Sequence, residues 1–134
     1  MANFYGFARS NYFKVKDAEA FVAWADKFGS LGVWTRDDMH AIYSDCPDSG
    51  CWPSAAWSED EDDFIEIDLE AELAEHLADG EVAILMQCGA EKLRYLSGYA
   101  TAIDNTGKSV TVSMGDIYAL AESAFGVTPT AAEY

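Results

Sequence analysis

The spacing of hydrophobic positions changes along this chain, and each change marks an element. Tyr12-Phe13-Lys14-Val15-Lys16 alternates apolar and polar residues, the pattern of a half-buried strand. Behind it Ala18, Phe21, Val22, Ala25 and Phe28 recur at helical spacing, with Asp17 as N-cap and Gly29 and Gly32 ending the element. Leu31 to Thr35 and Met39 to Ser44 read as two strands about an Arg36-Asp37-Asp38 turn, and Cys51 to Ser58 as a further short strand. The run Glu59-Asp60-Glu61-Asp62-Asp63 disfavours helix and sheet alike through close like charges, so it reads as an exposed connection before the extended Phe64-Ile65-Glu66-Ile67.

From Asp68 to Ala78 the period is helical again, with Leu69, Leu73 and Leu77 at four-residue spacing and Asp79-Gly80 closing the helix. Val82-Ala83-Ile84-Leu85-Met86 is dense enough for a central strand within Glu81 to Cys88. Lys92 to Ile103 and Ser109 to Ser113 flank Asp104-Asn105-Thr106-Gly107, a strong hairpin turn. A last helix, from Met114 or Gly115 to Phe125, is expected to turn Ile117, Leu120, Ala121 and Ala124 inward. Tight turns between neighbouring strands imply antiparallel pairing. The expected fold is therefore α+β, a mainly antiparallel sheet with two or three helices packed on it, one domain over residues 1–126 and a frayed tail over 127–134.

Composition supports a folded domain: half of the 134 residues are apolar and 13% are aromatic, unlike a disordered acidic chain. No apolar stretch approaches the roughly 18 residues of a membrane span, and no secretory leader is apparent, which places the chain in the cytoplasm. Three cysteines, Cys46, Cys51 and Cys88, are too few for a disulfide framework. Cys46 and Cys51 flank the turn residues Pro47-Asp48-Ser49-Gly50, so two reduced thiols beside a turn and a local disulfide both fit.

Charge changes the picture. The formal net charge is −16, and residues 37–81 hold sixteen Asp and Glu without one Lys or Arg, while the other 89 residues carry eight acids and eight bases. A field focused in this way attracts a cationic partner and repels nucleic acid and anionic membranes. On a helical wheel Asp68, Glu72, Glu75 and Asp79 fall within an arc of about 60°, a ridge of about 16 Å facing away from the leucines. Such a ridge costs about 1–2 kcal/mol through like-charge repulsion and an unfavourable helix dipole. Replacing Glu72 and Glu75 with Lys is accordingly expected to hold or raise stability while abolishing attraction to a basic groove.

Enzymatic chemistry finds little foothold. His40 and His76 are the two histidines; Glu72 and His76 stand one helical turn apart, a pair that more often makes a local contact than a metal site. Asp60, Asp62 and Asp63 lack the glycine and spaced glutamate of a calcium loop, and Gly29-Ser30-Leu31-Gly32 falls short of a phosphate-binding loop. No nucleophile elbow assembles a catalytic triad. The expectation is a non-enzymatic protein with no catalytic residue, cofactor or metal. Salt-adapted proteins spread acidity over the whole surface, which this chain does not. A solubilising loop and a flexible docking segment built on Trp52, Pro53, Trp57, Phe64 and Ile65 remain alternatives.

In size, in the unrelieved block from Asp37 to Glu81 and in the helix bearing Asp68, Glu72, Glu75 and Asp79, the chain resembles the small acidic antirestriction and anti-CRISPR proteins of phages and plasmids that mimic DNA. The resemblance implies an inhibitor whose acidic face occupies the DNA-binding surface of a host nuclease or effector complex. Its contacts would be Glu59, Asp60, Glu61, Asp62 and Asp63 with the ridge Asp68, Glu72, Glu75 and Asp79. The alternative is an acidic adaptor or chaperone-like module that binds a basic protein without imitating DNA. Any homodimer would join through the neutral surface, around Phe4, Tyr5 and Phe7, because the acidic faces repel.

Overall fold

The computed structural model describes residues 5–45, 50–92 and 94–132. Its elements are β1 (Tyr5–Ser10), α1 (Ala18–Asp26), β2 (Leu31–Arg36), β3 (Met39–Ser44), β4 (Ala55–Ser58), β5 (Asp63–Glu66), α2 (Leu69–His76), β6 (Val82–Glu91), β7 (Tyr95–Asp104), β8 (Ser109–Ser113) and α3 (Asp116–Phe125). Six strands form one antiparallel sheet in the order β2-β3-β1-β6-β7-β8, and β4 pairs with β5 as a separate hairpin. The fold is α+β, as the residue pattern predicts.

Local chemistry explains most boundaries. Asp17 caps α1, its carboxylate accepting from the Glu19 and Ala20 amides at 3.0 and 3.2 Å. The Asp104 carboxylate closes the β7–β8 turn by accepting from Thr106 N–H, the Thr106 hydroxyl and Lys108 N–H, and the Thr106 hydroxyl foremost holds it below the usual carboxylate range.

Two expectations are corrected. The first strand is Tyr5–Ser10, not Tyr12–Lys16, where Phe13 and Val15 make isolated bridges to His40 and Leu77. The chain leaves the sheet at Asn11, whose side chain accepts from Ile84 N–H at 2.8 Å and donates to Val82 carbonyl at 3.2 Å, doing the work of a strand backbone. Gly32 lies inside β2 and does not loosen a helix exit; the Tyr43 ring lies over it, where a Cβ would collide. The acidic run 59–63 is an exposed connection, as expected; it joins β4 to β5, which pair with one another, and Trp57 N–H bonds the Lys27 carbonyl at 2.9 Å, tying β4 to the end of α1.

The two faces of the sheet differ. Register places Ser10, Leu85, Thr101 and Thr111 in one row and Tyr43, Arg9, Met86, Ala100 and Val112 in a row on the opposite face. The first face carries the core: Phe13, Phe21, Ile42, Leu73, Leu77, Leu85 and Ile103 are fully buried beneath α1 and α2. Among the described residues no helix crosses the other face, where Phe7, Met86, Val110 and Val112 are exposed. α3 follows β8 and has no buried residue: Ile117 and Leu120, expected to point inward, line a groove with Val112 and are 59% and 62% exposed, while Ala121 is half-buried and Ala124 exposed.

Candidate functional site

The densest acids lie on the β4–β5 hairpin and on α2, while Asp37 and Asp38 form the β2–β3 turn of the main sheet. Glu59, Asp60, Glu61, Asp62 and Asp63 form the exposed β4–β5 tip, where Asp62 takes a left-handed φ of 50° and the Ser58 hydroxyl accepts weakly from Glu61 N–H. Among the described residues the sole ion pair of the acidic block joins Asp38 to Lys14 at 3.6 Å, away from that tip. Trp57 and Phe64 pack edge to face behind the carboxylates at 5.4 Å and stay partly exposed. The five acids therefore project from a paired support rather than from a loose connection.

The ridge expected on the second helix does not form. α2 is eight residues long, because Leu77 turns extended and Lys16 N–H takes the His76 carbonyl at 2.9 Å. Asp68 is its N-cap, accepting from Ala71 N–H at 3.2 Å. Glu72 turns toward α1 and accepts from the indole Nε1 of buried Trp24 at 3.0 Å. Asp79 lies past the helix, where Asn105 Nδ2 donates to it at 3.4 Å. Of the four, Glu75 keeps the exposed helical position that the wheel assigns it. Glu70 is the acid the wheel passed over: with Glu66 and Asp68 it lines a groove of about 380 Å³ whose other walls include Trp52 and Tyr99. Trp52 Nε1 is buried with no hydrogen-bond partner among the described residues.

The histidines belong to the aromatic core. His40 is buried, with Nδ1 at 3.1 Å from the Thr35 hydroxyl, and its ring lies 5.5 Å from Phe21. His76 lies between Trp24 and Phe21 at 5.0 and 5.9 Å, and burial lowers its pKa from 6.5 against the opposing pull of Glu75 and Glu72. Among the described residues no three His, Cys, Asp or Glu side chains converge as a metal site. Cys46 lies outside the described residues, and with it the question of its pairing with Cys51.

A second surface was read from the pattern only around Phe4, Tyr5 and Phe7, of which Phe4 lies outside the described residues. On the open face, Phe7, Arg9, Trp34, Met86, Gly98 and Met114 line an apolar groove of about 690 Å³. Trp34 stacks on Tyr43 at 4.4 Å, and the Arg9 guanidinium lies 4.7 Å over the Trp34 ring. The available signal was that β6 is apolar at consecutive positions, hence apolar on both faces. No helix among the described residues is long and apolar enough to cross a membrane. Comparison with protein-family models, with curated proteins and with solved structures returns no match.

Proposed function

We propose that this protein is a non-enzymatic acidic inhibitor that occupies the DNA-binding surface of a host defence nuclease or CRISPR effector. The observation that carries this reading is the segregated charge: sixteen acids without a base over residues 37–81, the densest of them on the β4–β5 tip. Lys and Arg side chains that grip phosphates accept such an array in place of DNA. The contacts are Glu59 to Asp63, supported by Glu70 and Glu75; Asp68 and Glu72 serve mainly to cap α2 and hold α1.

A purified restriction nuclease or CRISPR effector complex, titrated with this protein against labelled duplex DNA, tests the reading. DNA and protein should exclude one another, and inhibition should weaken steeply as salt rises above about 0.1 M. Replacing Glu59 to Asp63 with the matching amides should weaken inhibition at least tenfold, since each desolvated charge pair across an interface is worth more than about 1 kcal/mol. Salt-independent binding without DNA competition would sink the proposal.

Exposed Trp57, Phe64 and Ile65 beside the acids favour a second reading, an adaptor docking on a basic and hydrophobic groove. Such an adaptor would form a ternary complex with target and DNA.

A further inference from the structure

The fold leaves two apolar features uncovered on one molecule. Helix α3 presents Ile117 and Leu120 to solvent, and the open sheet face presents Phe7 at 75% exposure with Met86, Val110 and Val112. A ten-residue helix is marginal by itself in water, since isolated helices need about 12–15 residues even with favourable sequences. Its apolar face requires a partner surface.

We infer that the open face of the sheet together with α3 is the interface for a second copy of this chain, the α3 of each molecule lying in the groove of the other. Three observations select a second copy over another occupant. The groove and the helix that suits it are on the same chain, so two copies related by a two-fold axis satisfy both at once and the contact closes on itself. Their charges match: Arg9 is the charged residue of the groove lining, which contains no carboxylate, whereas α3 carries Asp116 and Glu122 and no base. The acidic hairpin and α2 lie on the helical layer, so a face-to-face pair keeps the β4–β5 tips and both α2 helices outermost.

The area is sufficient. A large side chain carries about 150–250 Å², so about ten such groups at half to three-quarters exposure sum to roughly 1,000 Å². A standard stable interface takes about 800 Å² from each partner, and the largest apolar patch of a typical monomer is about 300–600 Å². This inference is independent of the inhibitory reading, since it needs no acidic residue.

Sedimentation velocity on the full chain over a dilution series tests it. A dimer is expected at low and high salt, tighter at high salt where repulsion between the blocks is screened. Leu120→Asp should weaken the dimer at least about a hundredfold, because the two-fold buries the new charge twice, while the variant keeps a cooperative urea-unfolding transition, since the core beneath α1 and α2 contains no α3 residue. Cys88, exposed on the open face, supplies a reading that needs no variant: alkylation of the wild-type should be slow when concentrated and fast when diluted. A monomer at every concentration and salt, a folded Leu120→Asp dimer, open-ended oligomers, or Cys88 reactivity independent of dilution would each overturn the inference.

Discussion

Helices α1 and α3 are near equals in length and patterning, nine and ten residues with apolar groups on one side, yet they end in opposite circumstances. α1 buries Phe21, Trp24 and Ala25 against the sheet and against α2. α3 buries nothing. The difference is positional: α1 lies in the crossover between β1 and β2 and returns the chain over the sheet, whereas α3 follows the edge strand β8, which contributes no residue to the core. An amphipathic period states that a helix needs a partner; the sheet order decides whether the same molecule supplies one.

The sharpest way to break this comparison is a matched pair of truncations. Phe21→Ala should cost about 3–5 kcal/mol in urea unfolding, as expected for a fully buried aromatic. Phe125→Ala, at 78% exposure, should fall within about 0.5 kcal/mol when measured too dilute for self-association. A large loss at Phe125 in the monomer would mean that α3 is packed after all.

A smaller effect separates two neighbouring acids of α2. Glu72→Lys should destabilise by about 1–3 kcal/mol, because it strips buried Trp24 Nε1 of its acceptor and puts a cation near a core aromatic. Glu75→Lys should be neutral within about 0.5 kcal/mol, with any change favourable, since it removes a carboxylate near the negative end of the helix. Thermal melts of the two single variants decide the matter. This replaces the expectation that both reversals are harmless: Glu72 is a strut between helices.

The smallest effect concerns acid. Burial favours the neutral imidazole of His76, so below about pH 6.5 the unfolded chain takes up a proton more readily than the folded one. This contribution to stability is therefore present above 6.5 and is lost as pH falls through the lowered folded pKa. His76→Gln should flatten the pH dependence of the urea midpoint in that range. Glu75→Lys should steepen it, because the carboxylate that partly offsets burial is gone. A wild-type midpoint that rises as pH falls through this range would contradict the half-buried position of His76 against Trp24 and Phe21.

The sequence alone determined what depends on neighbours within a few residues. The Asp17 cap and the Asp104-Asn105-Thr106-Gly107 turn were readable because donors and acceptors lie two to four positions apart, and β8 occupies the residues that the hairpin turn before it implies. The acidic segregation was equally legible, being a property of composition. Tertiary structure decided the rest, because its contacts join residues that no period connects. Asn11 holds Ile84 across 73 positions, and Trp24 takes Glu72 across 48, which removes that glutamate from the ridge its own helix implied. The open sheet face is of the same kind: each strand showed which residues alternate, but only the order β2-β3-β1-β6-β7-β8 placed Arg9, Met86, Ala100 and Val112 in one uncovered row, since hydrogen-bonded register is set between strands and not within them.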